Sequence, residues 1–309
     1  MGATGFTGRA LCRHLSENSA RTVQVVKASI SARGDPEVTE CDCSKGDDVN
    51  HLLVTVKPHE VYHLVGSFSK EYETDYISNV LCAKNIFDAV LRQRGSRARV
   101  LVVGSAAAVG LVKRADLPVK ETITLSPVTM YGLTKATQAL LAASYARMYH
   151  LDVVVARAFN IVGYGISQQL FVGRLVAQIA AYLRGDIRRI VVGNLLNKRD
   201  YLDIRDVVAA YCCIMTRGKQ GELYNVGSGT SIRIRRLLDL FLKAFDIPEK
   251  AIKCEAVATG RQDLRDIRCS NAKLRALGWR PTVTIQESIN DIRRQILLDE
   301  NPVASRRER

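Results

Sequence analysis

Tyr131 and Lys135 are four residues apart in the stretch Ser126-Pro127-Val128-Thr129-Met130-Tyr131-Gly132-Leu133-Thr134-Lys135. Thr129 is a good helix N-cap, and Leu133, Ala136, Leu140, Leu141, Ser144 and Met148 recur with helical period, so a helix is predicted from Met130 onward. Four residues on a helix rise about 6 Å and share a face. An ammonium held beside a phenol favours the phenolate and lowers the phenol's pKa. Such a pair can exchange a proton with a sugar or alcohol oxygen near neutral pH. Two further signals lie upstream. Gly2, Gly5 and Gly8 have the spacing in which small residues let backbone approach a pyrophosphate, and the helix predicted from Arg9 to Ser16 points its amino end there. Residues 100–103 form an apolar run that ends at Gly104-Ser105, which sets a hydroxyl at the carboxyl end of a strand.

Alternating strands and helices are needed to bring these groups together. Residues 23–28 read as the strand after the glycine helix, continuing Lys27-Ala28-Ser29-Ile30-Ser31-Ala32-Arg33 with no acid until Asp35. Folds that prefer NAD place an acid here for the ribose 2′-hydroxyl. Hydroxyls and a cation suit a 2′-phosphate instead, so NADP(H) is favoured over NAD(H), with Ser29, Ser31 and Arg33 as candidate contacts. A third strand ends at Glu40-Cys41-Asp42. Residues 61–67 form a fourth, whose His63 reads as a core histidine, and residues 75–92 form one long amphipathic helix. The fifth strand is 99–105 and the sixth 151–160. Beyond it come helices at 171–183, 205–215, 232–245 and 285–298, between short strands at 190–194, 223–227 and 252–256.

The expected fold class is α/β: a Rossmann-type doubly wound parallel sheet over residues 1–160 and a smaller α+β substrate lobe over 161–309, some of which returns to the main sheet. The strand expected before the glycine turn is missing from a chain that starts at Met1. That strand is central in a doubly wound sheet, so its two neighbours are expected to lack a partner.

With 309 residues, 47% of them hydrophobic, the chain can bury a full core. Its net charge of +14 reads as attraction for a phosphorylated cofactor and a nucleoside-diphosphate substrate rather than for nucleic acid. The arginines are scattered, and with only 6% aromatics there is no stacking platform beside them. No apolar run reaches membrane-spanning length and no basic-then-apolar leader precedes the glycine turn, so a soluble, cytoplasmic protein without membrane contact is expected. The eight cysteines show no C-x-x-C spacing and read as free thiols rather than disulfides or metal ligands.

The glycine turn, the Ser105 strand end and the Tyr131/Lys135 helix, in this order, resemble the extended short-chain dehydrogenase/reductase family, also called the NAD-dependent epimerase/dehydratase family. Arg157-Ala158-Phe159-Asn160, the run Lys198-Arg199-Asp200-Tyr201-Leu202-Asp203, Tyr224-Asn225-Val226-Gly227 and Leu277-Gly278-Trp279 resemble the branch that reduces GDP-4-keto-6-deoxy-mannose to GDP-rhamnose. The resemblance implies Ser105, Tyr131 and Lys135 as catalytic residues, with Tyr131 and Lys135 also against the cofactor. It implies cofactor contacts at Gly2, Gly5, Phe6, Gly8, Asp42 (adenine), Leu64, Ser67 and Asn79. It also implies substrate contacts at Ser67, Ser105, Asn160, Arg199 and Arg261, the last displaced by one position from the family's phosphate-binding arginine, and a homodimer built through the long helices. Dehydratases of the family carry a glutamate two residues after the catalytic hydroxyl, and the fucose-forming epimerase-reductase a cysteine next to it. Here Ala107 and Ala106 hold those places, which favours reduction. A nucleotide-sugar 4-epimerase, a dehydratase relative and a non-catalytic dinucleotide-binding protein are the alternatives.

Overall fold

The structure, a computed structural model, describes residues 1–18, 23–69, 71–93, 98–255 and 266–300. In the first half, helix α1 (Phe6–Asn18) is followed by β1 (Lys27–Ser29), β2 (Val38–Glu40), α2 (Gly46–Val56) and β3 (Glu60–His63). Next come α3 (Tyr72–Tyr76), α4 (Cys82–Arg92), β4 (Arg99–Ser105), α5 (Met130–Tyr149) and β5 (Val153–Ala158). The second half runs β6 (Asn160–Val162), α6 (Phe171–Leu183), β7 (Ile190–Val192), β8 (Lys198–Arg199), β9 (Tyr201–Asp203), α7 (Ile204–Arg217) and β10 (Leu223–Val226). It closes with β11 (Ile232–Arg233), α8 (Ile234–Ala244), β12 (Ile252–Cys254), β13 (Asp266–Ile267), α9 (Ala272–Ala276) and α10 (Ile285–Glu300).

The main sheet is parallel, in the order β10-β5-β4-β3, so residues 223–226 do return to it from the second half. Its faces follow from the two-residue period of a strand. Val100 and Val102 of β4 pack with Ile86, Phe87 and Ala142 from α4 and α5, while Leu101 between them packs with Val207, Tyr211 and Ile214 of α7. Apolar side chains on both faces require helices on both faces, which is the doubly wound arrangement. A further core joins α6, α8 and α10 through Leu175, Ile179, Leu237, Phe241, Ile289 and Ile292.

The expected gap beside the glycine turn is visible as a divided sheet. Strands β1 and β2 pair only with each other, and Met1–Ala3 run along the seam. The Met1 amino group donates to the Tyr62 carbonyl at 2.8 Å, the Met1 carbonyl accepts from Leu64 at 3.1 Å, and Gly2 donates to the Ala28 carbonyl at 2.8 Å.

Two elements differ from expectation. The helix expected over 75–92 is interrupted by a π-helical turn, Ile77–Leu81, which rotates Asn79 into the protein, where it is fully buried. Helix α5 has the expected start, with Thr129 accepting from Gly132 at 2.9 Å, but its buried face differs from the one its apolar spacing suggests. Leu133, Leu140 and Met148 are exposed, and Thr134, Lys135, Gln138, Ala142 and Ala146 face inward. The inner face must lie close to β4 and β5 and carry the site's polar groups, so it is made of small and polar residues.

Candidate active site

Strand β4 ends in a short turn capped by its own last side chain. Ser105 Oγ accepts from the Ala107 amide at 3.2 Å, which leaves the hydroxyl proton free to be donated. Tyr131, in the first turn of α5, comes up beside it, held edge-on against Phe68 with ring centroids 4.9 Å apart. Lys135 follows one turn later with only 4% of its surface exposed. All three side chains line one cavity of about 820 Å³, together with Phe6, Leu64, Ser67, Asn160 and Arg199. Elements distant in sequence therefore converge as the spacing predicts.

Burial governs the electrostatics of the pair. The Tyr131 phenol is pushed up from its ordinary value by desolvation and by the charge of Asp75, and only the bond with Ser105 pulls the other way. Desolvation lowers the Lys135 ammonium from 10.5 to about 7. The sequence suggests that the lysine acidifies the phenol. Instead, burial acts against the charged form of both groups.

The glycine turn packs closely against the start of α1. A Cβ on Gly8 would lie 2.1 Å from the Gly2 carbonyl oxygen and 2.7 Å from that of Ala3, so only glycine lets α1 start this close to the turn. A second cavity of about 390 Å³ opens alongside, lined by Thr4, Arg9, Arg13, Lys27, Arg33 and Asp35 among others. Arg33 lines this smaller cavity. Ser29 is buried and shares a hydrogen bond with Thr4 at 2.8 Å, whereas Ser31 accepts from the Arg33 amide at 3.3 Å and lines neither cavity. Arg9 and Arg13 bring more positive charge than the sequence suggested, because one turn apart on α1 they line the same opening.

The remaining expected contacts divide. Asn160 lines the larger cavity and donates to the Asp200 carbonyl at 3.1 Å. Arg199 also lines it, while Asp200 is taken up by the amides of Ser228, Gly229 and Cys269, and Asp203 by Arg205 and Ser288. Asn79 does not reach the cavity. It clamps the backbone of Ser67 in both directions at 3.1 Å and bonds Thr134 at 3.0 Å, and so shapes the wall from behind. Asp42 lines neither cavity and accepts from Ser44. Arg261 lies outside the described residues. Phe68, Arg174, Gln178, Asn194, Asn197 and Tyr201 line the larger cavity without having been singled out, because they sit on loops, a helix and a strand that only the tertiary fold gathers.

Over residues 1–227 the sequence matches the NAD dependent epimerase/dehydratase family. The chain belongs to that family. The chain is 31% identical to GDP-6-deoxy-D-mannose reductase of Pseudomonas aeruginosa over 94% of each chain, and it is an NAD(P)-dependent oxidoreductase. It is also 29% identical to the dTDP-glucose 4,6-dehydratase of Streptomyces antibioticus, over 93% of this chain and 88% of that one. Among solved structures, the Pseudomonas aeruginosa RMD complexed with NADPH superimposes with a TM-score of 0.84 at 28% identity, covering 96% of this chain and 97% of the other. Among the described residues no helix of this family member is long and apolar enough to cross a membrane. Its eight cysteines are free thiols, with Cys254 exposed and Cys41, Cys43, Cys82 and Cys269 buried.

Proposed function

We propose that this enzyme reduces the C4 ketone of a nucleotide-linked 4-keto-6-deoxyhexose, with NADPH as the reductant and GDP-4-keto-6-deoxy-mannose as the preferred substrate, giving GDP-rhamnose. The observation that carries this reading is the lining of the larger cavity. Its charged residues are Lys135, Arg174 and Arg199, and among the described residues no Asp, Glu, His or Cys lines it. Dehydration and 3,5-epimerisation both need a group that abstracts a carbon-bound proton. The positions where relatives keep that group are Ala106 and Ala107, both lining the cavity. Tyr131 and Lys135 remain as the proton-transfer groups, which suffice for a ketone. Arg174 and Arg199, in a lining that includes no acid among the described residues, suit a nucleoside diphosphate.

In this mechanism Ser105 donates a hydrogen bond to the substrate carbonyl, keeping its proton and holding the oxygen where negative charge develops. Tyr131 protonates that oxygen as it becomes an alkoxide. A high phenol pKa suits an acid that must still hold its proton in the resting site. Lys135 supplies positive charge behind the phenol, and Arg199 with Asn160 orients the nucleotide. The Gly2–Gly8 turn and the amino end of α1 would hold the dinucleotide, with Arg9, Arg13 and Arg33 toward a 2′-phosphate. The nicotinamide, when bound, supplies the hydride. On this proposal residues 1–160 serve mainly the cofactor and residues 161–309 the substrate. The exposed Leu133, Leu140, Met148 and Tyr149 on α5 support pairing of two copies through that helix.

The test is NADPH absorbance with the GDP-, dTDP- and UDP-linked 4-keto-6-deoxyhexoses offered in turn. The proposal expects consumption, fastest with the GDP sugar. Unchanged absorbance with all three would remove it, and tightly bound NAD with no net consumption would replace it with the 4-epimerase reading.

A further inference from the structure

Behind Lys135 is a polar chain that the reaction as described leaves unused. The ammonium donates to the Val103 carbonyl at 2.7 Å and to Gln138 Oε1 at 2.8 Å. Gln138 is fully buried, and its Nε2 lies 3.3 Å from Nε2 of His63, which is also fully buried. The chemistry fixes every orientation in this chain. An ammonium only donates, so the amide oxygen must face it and the amide nitrogen must face the ring. That nitrogen can only donate, so His63 Nε2 must be the acceptor and the ring proton sits on Nδ1, for which no partner occurs among the described residues. An imidazolium would set two donors against each other. Burial lowers the His63 pKa well below its ordinary value and agrees with a neutral ring. On the other side, a Cβ on Gly66 would lie 3.0 Å from Asn79 Oδ1 and 3.5 Å from the Lys135 nitrogen, so the ammonium is confined there by backbone alone.

We propose that Gln138, locked by His63, is the positioning residue of the Tyr131/Lys135 pair: it fixes where the ammonium sits and favours its charged form. A purely structural role for Gln138 would be met by any group that fills the space. This amide instead offers its only acceptor to a buried cation that has lost its water. Around the pair, His63 from β3 feels the charge of Lys135 and of the Met1 amino group, and Asp75 from α3 bears on Tyr131 in the preceding turn of α5. None of these is a carboxylate bonded to the lysine, so the amide oxygen and the Val103 carbonyl carry the stabilisation of its charge.

The rate measurement rests on the reductase reading; a melting measurement does not. In Gln138→Leu the lysine should lose its proton more easily, moving the high-pH fall in kcat down by about one pH unit. Gln138→Glu places an anion against the ammonium and should move that fall up by at least about one unit. His63→Leu frees the amide to turn and should shift it in the same direction as Gln138→Leu, by less. The lower edge of the pH window in which melting temperature rises should shift in the same way for each variant, with no substrate present. If Gln138→Leu does not fold, Gln138→Glu still decides the matter. Opposite shifts in Leu and Glu variants support the proposal. Unshifted profiles in both rate and melting, or equal shifts in both variants, overturn it. If wild-type protein consumes no NADPH with any sugar tested, the reductase reading fails and the melting profiles alone decide the role of Gln138.

Discussion

In the proposed mechanism Tyr131 carries the proton transfer, and its surroundings predict how its loss should read out. Removing the hydroxyl in Tyr131→Phe deletes the general acid but leaves the ring against Phe68. The rate should fall roughly 100-fold or more with the melting temperature nearly unchanged, as steady-state kinetics and calorimetry would show. An unchanged rate would support the non-catalytic alternative. Lys135 makes a second prediction, about stability. Its folded pKa of about 7 lies below the unfolded 10.5, so between those values the unfolded chain keeps a proton that the folded chain has released. Stability contributed through this group is therefore fully present above pH 10.5 and lost as pH falls toward 7. The melting temperature of the wild type, taken relative to Lys135→Met, should rise over that window. A flat difference would mean the ammonium is solvated after all.

At the scale of the element, the glycine turn makes the sharpest claim. Gly8→Ala would drive a methyl into the Gly2 and Ala3 carbonyls, so α1 would have to move off the turn. Dinucleotide affinity should drop by about 10-fold or more with a stability loss of about 1–3 kcal/mol, measured by cofactor titration and denaturant melts. Unchanged affinity would put the pyrophosphate elsewhere. The turn, the Ser105 strand end and the start of α5 were legible in the sequence because each depends on local chemistry: spacing of small residues, an apolar run, a capping hydroxyl. The buried face of α5 was not. Leu133, Leu140 and Met148 point outward and its inner face is made of small and polar residues close to β4, which period alone cannot distinguish. The π-helical turn that buries Asn79 was invisible for a similar reason, since one extra residue in a helical turn leaves the composition unchanged. Strands β1 and β3 are shorter than their apolar runs because Val23, Val26 and the residues after His63 pass out of the sheet.

Across the whole molecule, the smaller cavity gathers three arginines and α5 gathers several exposed apolar side chains. Arg9, Arg13 and Arg33 around the smaller cavity should favour the phosphorylated dinucleotide. In Arg33→Ala the KM for NADPH should rise by about 10-fold while that for NADH stays within about 2-fold, and equal changes for both would contradict the assignment. The outward stripe on α5 should bury itself in a dimer. Leu140→Glu with Met148→Glu should therefore halve the mass seen in sedimentation without loss of folding, whereas a wild type that sediments as a monomer would remove this proposal. The most direct test of the central claim is deuteride transfer from NADPH labelled on the transferable position of its nicotinamide to GDP-4-keto-6-deoxy-mannose, followed by NMR of the sugar. The account predicts one deuterium at C4 of a 6-deoxyhexose for each NADPH oxidised. A product with no deuterium at C4, or a sugar converted while NADPH is untouched, would contradict it.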